Sequence, residues 1–276
     1  MDNQLCRSMM SAQISSIWFH VPGDLPVRLK NCIDTACSEL KNAGLVFFRA
    51  DDVGVPGRQF AGLTEIFISH RASLSLAVVP AWLTQPRWRQ TQSLCRDASS
   101  LFCWYQHGWR HINHERSGKK QEFGPGRSAA QINGDILKGR QRLEHLIGDS
   151  FTPVFTPPWN RCSQLTLETL GKLGYHAVSR SRGSLPPAPP GLPDFQVNVD
   201  LHTRKLENSP GDWTQLLDEL RLAISSGCCG IMLHHQRMND GAFAFLDNLL
   251  EIFTNHKNLR VVNFKQLIDS GCHRSH

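Results

Sequence analysis

The sequence predicts an α/β fold built from parallel βαβ units, and three observations carry that expectation. Short apolar runs with strand character alternate about seven times with longer segments of helical periodicity. The chain has 276 residues, a length that suits one barrel-type domain. Acids and histidines fall at the carboxyl ends of the apolar runs, the edge where parallel α/β folds bind ligands. Alternation alone fits a doubly wound sheet as well as a barrel.

Taken in order, residues 1–20 show no pattern and are expected to be poorly organised. A helix is expected from about Pro26 to Asn42, with Leu29, Cys32, Ile33, Cys37 and Leu40 on one face and Gly44 ending it. The first strand is Leu45 to Arg49. Phe60, Leu63, Ile66 and Phe67 mark a helix over about Gln59 to His70. "SLSLAVVP" reads as a buried strand, "PRWRQTQSLCRDAS" as a helix opened by Pro86, and "LFCWYQ" as a third strand running up to His107. "HGWRHINHERSGKKQEFGPG", rich in charge and glycine, is a loop, and helical spacing resumes from about Arg127 to Ile147. "PVFTP" is a short strand, "QLTLETLGKLG" a helix stopped by Gly174, and "YHAVS" a strand. "GSLPPAPPGLPD" holds five prolines in twelve residues, which excludes both helix and central strand. "FQVNVD" is a strand, "DWTQLLDELRLAISSG" a helix, "CGIMLHH" a strand and "GAFAFLDNLLEIFTNH" a helix. "LRVVNF" and "KQLIDS" close the series. No fixed-period repeat or low-complexity tract interrupts it, so one domain is expected.

Composition is globular, with 40% hydrophobic and 20% charged residues. The formal charge is +6, yet Arg110, Arg116, Lys119, Lys120 and Arg127 are scattered and form no nucleic-acid-binding stripe. No stretch approaches the roughly 20 apolar residues of a membrane span. The N-terminus shows no basic start followed by an apolar block, so no secretory signal is read there. Nine cysteines, an odd number in no zinc-ribbon spacing, read as free thiols of a reducing compartment. A cytoplasmic location is expected, with neither a membrane nor a nucleic acid as partner; oligomeric state is not legible.

The chemistry-bearing residues sit at strand ends. The first strand leads to Asp51 and Asp52, and the third to His107, His111 and His114. "PVFTP" leads into "PPWNR", "FQVNVD" ends at Asp200 with His202 beyond, and "CGIMLHH" ends at His234 and His235. Singly, each has an ordinary explanation. An Asp pair caps helices and turns, His-x3-His is common on solvated surfaces, a histidine pair sits satisfied in many cores, and Trp159 fits plain packing. Five strand ends on one rim point instead to a functional cluster. One Asp with two His is the ligand set of a catalytic divalent-metal site with a position left for water. A cation bound by one acid also removes its repulsion of the other.

In this order the motifs resemble the polysaccharide deacetylases, carbohydrate esterase family 4 with its NodB-type homology domain. "RADD" (Arg49 to Asp52) resembles the first family motif, "HGWRH" (His107 to His111) the second, "TPPW" (Thr156 to Trp159) the third and "MLH" (Met232 to His234) the fifth. The strings "QHGWRHINH", "KKQEFG" and "FTPPWNR" look closer still to one bacterial branch of that family. The resemblance covers about residues 45 to 265.

One domain is expected over residues 21–270, with 271–276 as a tail, and the resemblance implies a distorted (β/α) barrel, often seven-stranded. It implies hydrolysis of an acetamide on an amino sugar, the substrate being a small molecule or glycan. Asp51 would be the base and His234 the acid. Asp52, His107 and His111 would hold a divalent metal, Zn2+ by family habit, with Co2+ or Mn2+ as alternatives. The backbone N–H of Trp159 would steady the oxyanion, with Pro158 and Arg161 beside it. Arg49, His114, Asp200 and His235 are supporting candidates.

Three departures bear on activity. Thr156 stands where the third motif carries an arginine that orients the base, leaving Arg161 or Arg49 as the substitute. The fourth motif, an acid followed shortly by Trp, keeps Asp200 but has no Trp near it. His111 with His114 is a competing ligand pair, though His107 with His111 has the family spacing. The loop 108–126 and the segment 183–194 are expected to wall the pocket, with Trp82, Trp109 and Trp159 available to stack on a sugar. Two alternatives to the deacetylase follow: a non-catalytic descendant that binds carbohydrate or metal, and a hydrolase of non-sugar amides such as a cyclic ureide or formamide.

Overall fold

The computed structural model describes residues 13–204 and 209–271. The expectations for residues 1–12 and 272–276 lie outside them. The described chain is one α/β domain in which strands β1 (Gly44–Val53), β2 (Leu74–Val78), β3 (Phe102–His107), β4 (Phe151–Thr156), β5 (Ala177–Val178), β6 (Val199–Asp200) and β7 (Cys228–Leu233) form a curled sheet. Their spatial order is β5-β4-β3-β2-β1-β7-β6, every pairing parallel. Strand β8 (Leu259–Val262) pairs with the start of β1. Between β5 and β6 the chain keeps partial pairing, with Phe195 N–H on the Val178 carbonyl at 2.8 Å and Val197 N–H on that of Arg180 at 2.8 Å. The result is the expected distorted (β/α) barrel with a seven-stranded path.

Alternation along β1 explains the layers. Val46, Phe48 and Ala50 face outward, onto helices α1 (Leu25–Ser38), α2 (Arg58–Ser69), α6 (Ser209–Ser225) and α7 (Asp240–Asn255), in the main core. Phe47 faces inward, where it joins Ala77, Tyr105, Met232 and Phe264 inside the barrel. Strands covered on both faces are apolar almost throughout, as in "LVFF", and the serines of "SLSLAVV", Ser73 and Ser75, are themselves buried. A third cluster seats α4 (Ala129–Ile147) and α5 (Gln164–Lys172) against β4 through Ile132, Ile136, Phe155, Leu167 and Leu170. Helices α3 (Gln85–Cys95) and α8 (Phe264–Ser270) complete the set, and α8 takes up "KQLIDS". No helix among the described residues is long and apolar enough to cross a membrane.

Three local expectations are corrected. The first strand runs past Arg49 to Val53, so both acids lie within it. Of "FQVNVD", only Val199–Asp200 is regular strand. Residues 16–19 of the supposedly unpatterned N-terminus form a 3-10 turn that buries Ile17 and Trp18. Four residues are too short for periodicity to show, and the burial is decided by partners far along the chain.

Candidate metal centre and its surroundings

Residues two apart on a strand share a face, so Phe47, Arg49 and Asp51 all point into the barrel. Asp52 should then point away. It does not, because the register of β1 against β2 slips between Ala50 and Val53, and Asp52 takes a left-handed backbone with φ +61°. A bulge of this kind re-aims one side chain at the cost of local strain. Both carboxylates therefore attend the same rim.

His107 ends β3, and Gly108 (φ +58°) turns the chain so that His111, itself at φ +60°, comes back beside it. The Nε2 atoms of His107 and His111 lie 3.3 and 3.2 Å from Asp52 Oδ1. That oxygen is buried and has no hydrogen-bond partner. One donor atom from each of the three residues lies within 4.8 Å of the others. His107 Nδ1 donates to the Thr156 carbonyl at 2.9 Å, which fixes the tautomer and leaves Nε2 as a lone pair. An orphaned carboxylate oxygen facing two imidazole nitrogens fits a divalent cation.

Electrostatics agree with that fit. Burial opposes the charge on Asp52, but His107, His111 and His234 outweigh it and hold the carboxyl below its usual range. Burial lowers the His111 pKa to about 4, so its ring is neutral near pH 7. Burial also disfavours charge on His107, yet Asp52 and Asp51 prevail and raise its pKa. A proton and a cation compete for the same His107 lone pair.

Asp51 is almost wholly buried, and Arg49 is its partner. Arg49 Nε donates to Asp51 Oδ1 at 2.9 Å and Nη2 to Oδ2 at 2.8 Å. The guanidinium is held in turn by the Ser179 hydroxyl at 3.0 Å and by Asn160 Oδ1 at 2.7 Å. Of the two arginines considered as the substitute, the structure brings Arg49 to the acid. Arg161 turns elsewhere, its Nη1 donating to the Lys120 carbonyl at 3.4 Å. Trp159 (φ +58°) stands in a 3-10 turn with Pro158 and Asn160, and its indole lies 4.5 Å from the His111 ring. Trp82 flanks the same imidazole at 5.8 Å. Apart from Arg71, the non-glycine residues with positive φ among those described are Asp52, His111, Trp159 and Asn160. Strain is thus concentrated at this rim.

His234 reaches the group from the end of β7, with Nε2 4.0 Å from Asp52 Oδ2. Its backbone N–H donates to His202 Nδ1 at 3.0 Å, and Gln236 Nε2 donates to the Asp52 carbonyl at 2.6 Å. Trp18 covers His202 at 5.6 Å and donates from Nε1 to the Leu201 carbonyl at 3.0 Å. A tryptophan from the far N-terminal segment thus packs beside the residues that follow Asp200. Asp200 is spent on its own turn, accepting from the N–H groups of His202 and Thr203 at 3.0 and 2.9 Å. His114 does not join the ligands; its N–H serves the Gln121 carbonyl at 2.9 Å. His235 is buried edge-on against Phe60.

Sequence reasoning placed His202 just beyond a strand end without giving it a role, and missed Trp18, Gln236 and Glu122. The Glu122 carboxylate is fully buried, accepting from Trp109 N–H at 3.1 Å and Arg110 N–H at 2.7 Å. Its string "KKQEFG" was a signal of resemblance only, since an acid in a charged loop gives no sign of burial.

No protein-family model matches the sequence, and no curated protein matches it. Solved structures do. A probable polysaccharide deacetylase from Pseudomonas aeruginosa superposes with a TM-score of 0.61 at 13% identity, over 85% of this chain and 92% of its own. An allantoinase gives 0.60 at 13%, over 85% and 92%. A carbohydrate esterase family 4 pseudoenzyme from Bacillus anthracis gives 0.52 at 12%, over 83% and 66%. The chain has the fold of the polysaccharide deacetylases of carbohydrate esterase family 4.

Proposed function

We propose that the protein is a metal-dependent hydrolase of carbon–nitrogen amide bonds, most simply a deacetylase of an N-acetylated sugar or glycan. The observation that carries this reading is the convergence of Asp52, His107 and His111 next to a buried, arginine-bound Asp51. A divalent cation held by those three residues supplies Lewis-acid polarisation of the amide and acidifies water.

The remaining work falls to the chain itself. Asp51 Oδ takes the proton from the attacking water, and Arg49 keeps that carboxylate oriented. The Trp159 N–H, in the 3-10 turn Pro158–Asn160, donates to the carbonyl oxygen as it gains charge. His234 Nε2 delivers a proton to the departing nitrogen, without which an amine leaves poorly. Trp82 and Trp159 supply the apolar walls against which a sugar ring packs.

A second reading, hydrolysis of a cyclic ureide, is supported by the likeness to an allantoinase. A non-catalytic binding protein is the third, since a pseudoenzyme shares the fold. The Arg49–Asp51 pair argues against it, because it restores the cation that Thr156 removes. The test is metal analysis followed by turnover of N-acetylated sugars and cyclic ureides with zinc, cobalt or manganese. Acetate release assigns the deacetylase, and ureide cleavage alone assigns the second reading. Binding without turnover under every condition assigns the third.

A further inference from the structure

We propose that Glu122 is a positioning residue for the metal centre, an internal carboxylate that fixes the turn carrying His107 and His111. The inference rests on the metal-hydrolase reading and assigns a residue that the ligand motif does not contain.

The geometry is specific. Two ligands only four positions apart must both aim Nε2 at one Asp52 oxygen, and the segment between them is Gly108, Trp109 and Arg110. Glu122 binds that segment from beneath, one oxygen on the Trp109 N–H at 3.1 Å and the other on the Arg110 N–H at 2.7 Å. Its side chain is completely buried, so water cannot replace it as acceptor. A side chain at residue 108 would run into Glu122 Oε2 and the Pro158 ring, which is why the turn needs glycine there as well as for its positive φ.

Glu122 is itself pinned. The Phe123 carbonyl next to it accepts from Ser163 N–H at 2.9 Å and from Thr166 Oγ1 at 2.8 Å, while Phe123 is buried against Phe155. Arg127 Nη1 donates to the Glu122 carbonyl at 3.2 Å. The carboxylate thus hangs from a fixed scaffold and transmits that rigidity to the ligand turn. His111, at φ +60°, is the ligand that would relax first without it.

The decisive variant is Glu122→Gln, which keeps the shape but turns a donor toward one of the two amide N–H groups. The readouts are zinc affinity by competition with a chromogenic chelator, and the rise in Tm on adding zinc relative to each metal-free protein. Zinc affinity is expected to fall roughly 10- to 100-fold, with the metal-free protein still folded by circular dichroism and its zinc-induced Tm rise reduced. A merely structural carboxylate would lower the metal-free Tm and leave the affinity alone; that result overturns the proposal. Should E122Q not fold, Glu122→Asp carries the same comparison, and failure of both to fold assigns a purely structural role and also overturns it. Wild-type protein that binds no zinc, cobalt or manganese sinks the hydrolase reading first, a distinct outcome that takes this inference with it.

Discussion

Arg49 and Asp51, two residues apart on one face of β1, are joined inside the barrel by a fork of hydrogen bonds of 2.9 and 2.8 Å. Both side chains are removed from water, so each neutralises a charge that the barrel interior would otherwise not tolerate. Replacing Arg49 with Met is expected to leave Asp51 buried and unpaired, at a cost of about 3–5 kcal/mol. Urea unfolding measures it; an unchanged midpoint would mean that the pair is dispensable.

Asp51→Asn should separate chemistry from metal binding. The side chain stays in place without a basic oxygen. Turnover is expected to drop by about two to four orders of magnitude while stoichiometric metal is retained. Loss of the metal together with activity would instead make Asp51 a ligand.

Asp52→Asn tests the ligand set with little disturbance of the bulge, because Asn tolerates the left-handed backbone that Asp52 adopts. Metal-free stability should change modestly. The added stability that metal gives the native protein, about 2.7 kcal/mol at a hundredfold excess over Kd, should vanish. Thermal melts with and without zinc, and after chelation, read this directly.

Trp18 closes the back of the His234 support. Trp18→Ala removes a fully buried indole and its bond to the Leu201 carbonyl, with an expected loss of about 3–5 kcal/mol. Under conditions where the variant remains folded, turnover should fall further than zinc affinity. His202, which holds His234, loses its cover, whereas His107 ends β3 and His111 stands in the turn after it.

Acid should weaken the fold through two buried imidazoles outside the ligand set. Burial lowers the His202 pKa well below its usual value and that of His235 to about 4. Between about pH 6.5 and 4 the unfolded chain therefore binds protons that the folded one excludes. Stability is full above this range and declines as pH falls, by up to about 1.4 kcal/mol per pH unit for each residue. His202→Asn, whose Oδ1 still accepts the His234 N–H, should make the acid limb of a stability–pH curve shallower. An unchanged slope would show that His202 is not among the groups responsible.

The sequence by itself determined the order of strands and helices and the residues at or just beyond the strand ends, Asp51, Asp52, His107, His111 and His234; the barrel came from the resemblance of their motifs, since alternation alone fits a doubly wound sheet as well. These are legible because periodicity and strand ends are local properties, and a parallel barrel sends every strand's carboxyl end to the same rim. Tertiary structure alone decided the rest. It set Arg49 rather than Arg161 against Asp51, because only the shared face of β1 places a guanidinium there. It turned Asp52 to the same rim as Asp51 through a bulge that no residue pattern announces. It also brought Trp18 onto His202 and Glu122 beneath the histidine turn. Burial of these last two depends on neighbours distant in sequence, and a buried acid in a charged loop reads the same as a solvated one until the loop is folded.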